Sequence, residues 1–297
     1  MNRLAVRNAD LMLLLVAIIW GTSYGVAKQA LVFYPVLGFL FIRFSMTCVL
    51  LLPSLRGQFR AALRPGLPLG LTLLAIFLLE TYGVLQTSAS NAAFLISLFV
   101  VFTPFFEWLM FKRRPTTAAF LAAGLSLLGA LLLTHGGEVR MNLGDWLMIG
   151  AALLRGFIVC LTKRYSQTSN VSALALTAVQ TGVVASGCLL LLLALPGPLP
   201  ALPHAPAFWW ATAYLVVFCT LFAFYAQNYG VRRTTPTRAS LLMGSEPLFG
   251  ALFAVLWLGE QLSAAAWLGG LLIVLTSLWA SRPAREQGSG AAAPAHG

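Results

Sequence analysis

"IIWGTSYGVAK", residues Ile18–Lys28, puts two glycines, a Trp, a Tyr, two hydroxyls and a lysine into a run that is otherwise apolar from Leu11 onward. Polar groups without partners are costly in hydrocarbon, so a helix turned toward lipid gains nothing from them. A helix turned toward other helices and an internal cavity does. Gly21 and Gly25 stand in a G-x-x-x-G spacing, which lets two helix backbones approach closely, while Trp20, Ser23 and Tyr24 offer groups to a cavity. The stretch reads as one wall of a membrane-embedded bundle with a polar interior.

The composition points the same way. Of 297 residues, 59% are hydrophobic and 9% charged, against about a quarter charged in a soluble domain, which marks an integral membrane protein within a lipid bilayer. The net charge of +11 does not indicate nucleic acid, because the Lys and Arg residues lie in short loops rather than on one solvated face. Cys48, Cys160, Cys188 and Cys219 are each isolated within apolar runs and read as packing residues. Arg3 and Arg7 ahead of Leu11–Ile19 resemble the start of a signal peptide. Trp20 and Tyr24 occupy the place of a small-residue cleavage site, so the segment is expected to be retained.

At about 1.5 Å per residue, a helical span needs roughly 20 apolar residues. Ten stretches qualify: 10–28, 35–54, 66–87, 91–110, 117–134, 144–164, 170–194, 206–229, 238–258 and 262–281. The expected fold is therefore an all-α membrane protein of ten transmembrane helices, followed by a Gly-, Ala- and Pro-rich tail (284–297) expected to be disordered. Fifteen Lys and Arg residues fall in the loops on the side of the N-terminus; the other side holds Lys28 and Arg140, and Arg43 and Arg155 lie within spans. Because cytoplasmic loops carry the positive charge, both termini are expected in the cytoplasm, in a bacterial-type inner (plasma) membrane.

The opening stretch recurs. Asp10, Gly21 and Lys28 reappear as Asp145, Gly156 and Lys163, each displaced by 135 residues. "SLFVVFTPFFEWLMF" (97–111) and "SLLMGSEPLFGALFAVLWLGE" (240–260) align Pro104 on Pro247 at an offset of 143, and Gly124 then falls on Gly270. Five spans is an odd number, so the second copy enters the membrane from the opposite side. The expected organisation is an inverted-topology repeat, with a first five-helix unit over 1–140 and a second over 141–283. Transporters built in this way place their substrate site near the midplane, where the halves meet.

The motifs "WG" with a downstream lysine (Trp20, Gly21, Lys28), the proline of span 4 (Pro104), "SEP" (Ser245, Glu246, Pro247), "LGEQLS" (Leu258–Ser263) and the glycines of the last span (Gly269, Gly270) occur in an order that resembles the drug/metabolite transporter superfamily. Within it, the chain is most similar to the ten-span EamA-type exporters, over residues 10–281. The resemblance implies a secondary transporter that exports small metabolites, and the bacterial amino-acid exporter branch implies amino acids as its partners. "FKRRPTT" (111–117) departs from the Gly-Glu that the family often shows there, and Arg155 stands where the repeat partner has Trp20. Exporters of drugs or nucleotide sugars, and a passive pore, are the alternative readings.

Ionisable residues inside spans are candidate functional groups facing a cavity. Arg43 and Glu80 both lie about 10–12 Å deep from the outer side at the rise of an α-helix, which permits either a structural ion pair or a polar cavity lining. Arg155, near the centre of span 6, is a candidate for a substrate carboxylate, since a guanidinium matches a carboxylate with two parallel bonds; the alternative is a partner in another helix. Glu246 precedes Pro247, whose ring removes a helical N–H and clashes with the carbonyl of Met243, so a hinge involving Gly244, Pro247 and the repeat partner Pro104 is expected. Glu246 is also a candidate proton carrier. Trp210, Tyr214, Phe218, Phe222, Tyr225 and Tyr229 form an aromatic stripe at helical spacing, with Tyr225 and also Tyr82 as candidate cavity residues. "GTSYG" matches a nucleophile-elbow pattern, but Ser23 lies inside a membrane helix and all three histidines fall in loops or the tail. No Walker sequence, metal-ligand cluster or cofactor motif is present, so no enzyme, metal or cofactor is expected. Small-residue faces such as Ala265 with Gly269 serve internal packing or a dimer equally well, and leave the oligomeric state open.

Overall fold

The computed structural model describes residues 3–87, 89–112, 117–134, 141–258 and 263–280. The tail, Glu260 and the loop residues Arg113, Arg114, Arg140, Arg282 and Arg285 lie outside the described residues. The elements are α1 (Arg3–Leu31), α2 (Val36–Leu51) with a 3-10 turn (Leu52–Leu55), α3 (Phe59–Gln86), α4 (Ala89–Ser97), α5 (Phe99–Phe111), α6 (Thr117–Thr134), α7 (Leu143–Thr168) and α8 (Ala173–Ala194). They continue with α9 (Pro206–Tyr214), a π-helical stretch (Leu215–Phe222), α10 (Ala223–Arg233), α11 (Pro236–Met243), α12 (Glu246–Leu258) and α13 (Ala264–Ala280).

Among the described residues, seven helices are long and apolar enough to cross a membrane: Arg7–Leu31, Val36–Leu55, Phe59–Gln86, Ala92–Phe111, Leu143–Thr168, Ala173–Ala194 and Pro206–Arg233; α6 and α13 hold shorter apolar helices. The described residues of the expected stretches are largely helical, with interruptions at Leu98 and at Gly244–Ser245. At both breaks a serine hydroxyl bonds the carbonyl three residues back, Ser97 to Phe94 at 2.6 Å and Ser245 to Leu242 at 2.6 Å. A side chain that satisfies a carbonyl in this way competes with the helical ladder.

The expected kink around Pro247 takes a different form. The helix stops at Met243 and restarts at Glu246, so Pro247 lies in a first turn, where its missing N–H would have had no partner. Pro104 sits within the continuous helix α5, six residues past the break at Leu98. Gly244 occupies the second break, and a Cβ there would meet Val100 Cγ2 at 2.2 Å.

Packing pairs α6 with α13, α2 with α8, α3 with α7, α1 with α10, α5 with α7 and α1 with α12. Two crossings bring backbones into contact at the repeated glycines. A Cβ on Gly21 would meet Gly250 N at 2.7 Å and Glu246 O at 2.8 Å, and a Cβ on Gly156 would meet Thr103 N at 3.1 Å and Phe102 Cβ at 3.2 Å. Thr103 and Gly250 are 147 residues apart, as are the breaks at Leu98 and Ser245. The register of these contacts is therefore 147 rather than the 143 obtained by aligning prolines, and Pro104 and Pro247 stand one helical turn out of equivalence. Gly25 does not take part: it is exposed, and a Cβ there would meet nothing within 4 Å.

The repeated polar residues close the helix ends in matching ways. Lys28 Nζ donates to Thr87 O at 3.2 Å, and Lys163 Nζ donates to Arg232 O at 2.9 Å, each bonding a carbonyl at the C-terminal end of a helix. Asp145 forms a capping box with Asn142 and accepts the Thr87 hydroxyl at 2.6 Å. Asp10 takes two bonds from Arg238, at 3.1 and 2.6 Å. This fork joins α1 to α11 in a nearly buried setting. Asp10→Asn is expected to lower stability by about 1.5–3 kcal/mol, the worth of a charged hydrogen bond, measured as a lower unfolding midpoint in detergent; an unchanged midpoint would show the fork to be structurally idle.

Candidate functional site

Seven of the expected side chains meet around one central cavity: Trp20, Ser23 and Tyr24 from α1, Arg43 from α2, Glu80 from α3, Arg155 from α7 and Glu246 from α12. Its free space is about 50 Å³, that of one or two waters.

Arg155 is the centre of the group. Its guanidinium carbon lies 4.4 Å from the centroid of Trp20, its repeat partner, and 5.3 Å from that of Phe99. Nη1 donates to the Tyr24 hydroxyl at 3.4 Å, and Nη2 stands 3.3 Å from Glu246 Oε2. Glu246 is 1% exposed and sits at the N-terminus of α12, where the helix dipole favours a carboxylate. The alignment of the pair is poor. Neither buried Glu246 oxygen meets strict hydrogen-bond geometry, although Arg155 and the Tyr24 hydroxyl both stand close enough to interact with the carboxylate. A buried ion pair stabilises only when its geometry is good and its remaining valences are satisfied, and here a single contact of 3.3 Å joins the two groups. The open question of the Arg155 partner is answered for this conformation by a residue of another helix.

Arg43 and Glu80 line the same cavity without pairing to each other. Arg43 Nε donates to Thr220 Oγ1 at 2.8 Å, and its guanidinium lies 5.2 Å from the Phe77 centroid. The π-helical turn makes this possible. Its wider winding leaves Cys219 O to accept the Trp20 indole N–H at 2.9 Å and presents the Thr220 hydroxyl to Arg43, while that hydroxyl bonds Leu215 O five residues back.

The expected aromatic stripe does not line the cavity. Trp210 and Phe218 are 78% and 47% exposed; Tyr225 is half-buried against Tyr229 and outside the cavity wall, and Phe224 faces the cavity instead. Tyr82, 39% exposed, lies on the outer face of α3 rather than in the wall. Gln180, Gln227 and Asn228 line the cavity and were not anticipated. Asn228 Nδ2 donates to Thr177 Oγ1 at 2.9 Å and to Gln180 Oε1 at 3.0 Å. The signal for them was a glutamine in the middle of span 7 and the polar pair Gln227–Asn228 near the end of span 8.

A bundle of membrane-length helices around a buried cavity with paired charges marks the chain as a multi-pass membrane protein. The chain belongs to the EamA-like transporter family, whose model matches residues 7–135 and 142–282. It is similar to an uncharacterized transporter of Archaeoglobus fulgidus, 29% identical over 289 residues that cover 90% of this chain and 83% of that one. The uncharacterized inner membrane transporter YedA of Escherichia coli is 28% identical, covering 84% of this chain and 83% of the relative. A probable terminal-alkyne amino-acid exporter of Streptantibioticus cattleyicolor is 25% identical, covering 88% and 89%. A solved crystal structure superposes with a TM-score of 0.75 at 16% identity, covering 91% of this chain and 94% of that one, and so shares the fold.

Proposed function

We propose that the protein exports amino acids and related small metabolites across a bacterial inner membrane by alternating access, as ten spans in two inverted five-helix halves. The matched glycine crossings, the matched helix breaks and the matched lysine closures support the two halves, as does the division of the family match into two segments. The name of the Streptantibioticus relative supports an amino acid as cargo, and that of the Escherichia relative supports the location.

The observation that carries the substrate reading is the buried but misaligned Arg155–Glu246 pair. An α-amino acid brings a carboxylate for Arg155 and an ammonium for Glu246, and so satisfies both groups at once where they do not satisfy each other. Trp20, Phe77 and Phe224 supply apolar surface for a side chain. The test is uptake of a radiolabelled amino-acid panel into proteoliposomes, with and without unlabelled amino acid inside and with and without a pH gradient. Saturable uptake stimulated by preloading is the expected result, and a response to the gradient makes Glu246 the first carboxylate to replace. Absence of uptake of every amino acid by folded protein removes the amino-acid reading, and uptake without counterflow removes the carrier mechanism.

A further inference from the structure

A second hollow, of about 610 Å³, opens at the arginine-rich end of the bundle between the α2–α3 turn and the α7–α8 turn. Arg60, Arg64 and Arg164 line it together with Gln58 and Tyr165, and its lining contains no carboxylate. None of the three arginines makes an ion pair or side-chain hydrogen bond among the described residues. Of the acidic residues described nearer that end, Asp10 is held by Arg238 and Glu107 by the Thr237 N–H and hydroxyl. Three exposed arginines lining one hollow without an anion leave a site whose complement is negative.

The elements around the hollow are fixed. Gln58 Oε1 accepts the Ser172 N–H at 2.9 Å, which ties the start of α3 to the N-cap of α8. Arg232 Nη1 donates to the carbonyl of Val171, also in the lining. At the other end of the bundle the corresponding junction, between the turn after α1 and the connection after α8, is occupied by the chain itself: the Tyr34 hydroxyl donates to Pro200 O at 3.0 Å and its ring packs edge-on against Phe208. The arginine end leaves its junction open.

The shape of α3 indicates what fills it. Arg60, Arg64, Leu67 and Leu71 follow one another at steps of four, three and four, and so share one face of the helix. Leu67 and Leu71 are 45% and 59% exposed, and Leu174 on α8 is 37% exposed. A charged patch that runs directly into a lipid-exposed apolar stripe matches an amphiphile whose phosphate meets the arginines and whose acyl chain lies along the leucines. By the positive-inside rule this end faces the cytoplasmic leaflet, where anionic lipid attracts basic residues and basic pockets between helices accept headgroups. We propose that the Arg60–Arg64–Arg164 hollow is a binding site for the phosphate headgroup of one anionic phospholipid. The lipid bridges the α2–α3 and α7–α8 turns and so joins the two halves of the chain.

Purified protein in detergent, titrated with phosphatidylglycerol, phosphatidylcholine of the same chains or inorganic phosphate and read by native mass spectrometry, tests this. One retained phosphatidylglycerol is expected, in preference to phosphatidylcholine. Arg60→Gln/Arg64→Gln/Arg164→Gln should weaken its retention at least about tenfold, the worth of one charged contact. Arg7→Gln/Arg56→Gln/Lys112→Gln, which removes the same charge from the same end, should leave it unchanged. If the pocket triple fails to fold, the three single variants carry the test, each with a severalfold loss. Equal losses in both triples would overturn the site in favour of diffuse attraction. Displacement of phosphatidylglycerol by an equal concentration of inorganic phosphate would overturn the lipid as its occupant.

Discussion

Arg155→Ala is expected to abolish saturable amino-acid uptake and to destabilise the protein by about 3–5 kcal/mol, the cost of leaving one member of a buried ion pair without its counter-charge. Glu246 would be the stranded group, at 1% exposure and with no other donor in bonding geometry. Loss of transport in this variant alone is ambiguous, because a misfolded carrier also fails to transport. Arg155→Leu/Glu246→Leu separates the two effects. Replacing both charges by apolar side chains of similar volume is often neutral or stabilising, so the double variant should recover the unfolding midpoint and still fail to concentrate amino acids. Arg155→Lys keeps the charge but lacks the planar fork that meets a carboxylate with two bonds. It should fold, and its apparent affinity should fall roughly 30-fold or more, the low end of the 2–5 kcal/mol lost when a buried charged contact is truncated. Wild-type affinity in Arg155→Leu/Glu246→Leu would sink the assignment of this pair to the substrate.

The helices were legible because lipid demands long apolar runs, and that demand is written residue by residue. The breaks were only half legible. Gly244–Ser245 ahead of Pro247 signals one, whereas Leu98 lies in an apolar run with no glycine or proline beside it, and its neighbour Ser97 signals a break only once its hydroxyl is seen on Phe94 O. Aligning prolines gives an offset of 143, whereas the backbone crossings at Gly21–Gly250 and at Gly156–Thr103 relate Thr103 to Gly250 at an offset of 147.

For the site, a polar residue within a span announced that it had a partner but not which one. Arg155 and Glu246 come from different helices, α7 and α12, and only the packing of the bundle around one cavity places them together. Tyr82 is suggested by its closeness to Glu80 and Tyr225 by the aromatic stripe, yet a helix turns about 100° per residue, and two positions from Glu80 is nearly the opposite face.

Gly21→Ala should have a large effect for a single added methyl group. At this crossing the new Cβ would stand 2.7 Å from Gly250 N, 2.8 Å from Glu246 O and 3.1 Å from Phe249 C, all backbone atoms of α12 that have no rotamer with which to yield. The helices must separate instead, and overpacking of this kind costs about 1–3 kcal/mol or more. The displaced segment is the first turn of α12, which carries Glu246, while the neighbouring residue on α1 is Trp20, on which Arg155 rests. A shift of α12 away from α1 therefore opens the Arg155–Glu246 pair as well as the packing. The expected outcome is a lower unfolding midpoint together with a severe loss of counterflow. Gly25→Ala, four residues along the same helix where a Cβ meets nothing within 4 Å, should match wild type in both measurements, or gain slightly in stability from reduced freedom of the unfolded chain. Equal behaviour of the two variants would mean that the α1–α12 crossing is looser than these distances describe. It would also remove the close backbone approach as the reason for a glycine in the "WG" pair.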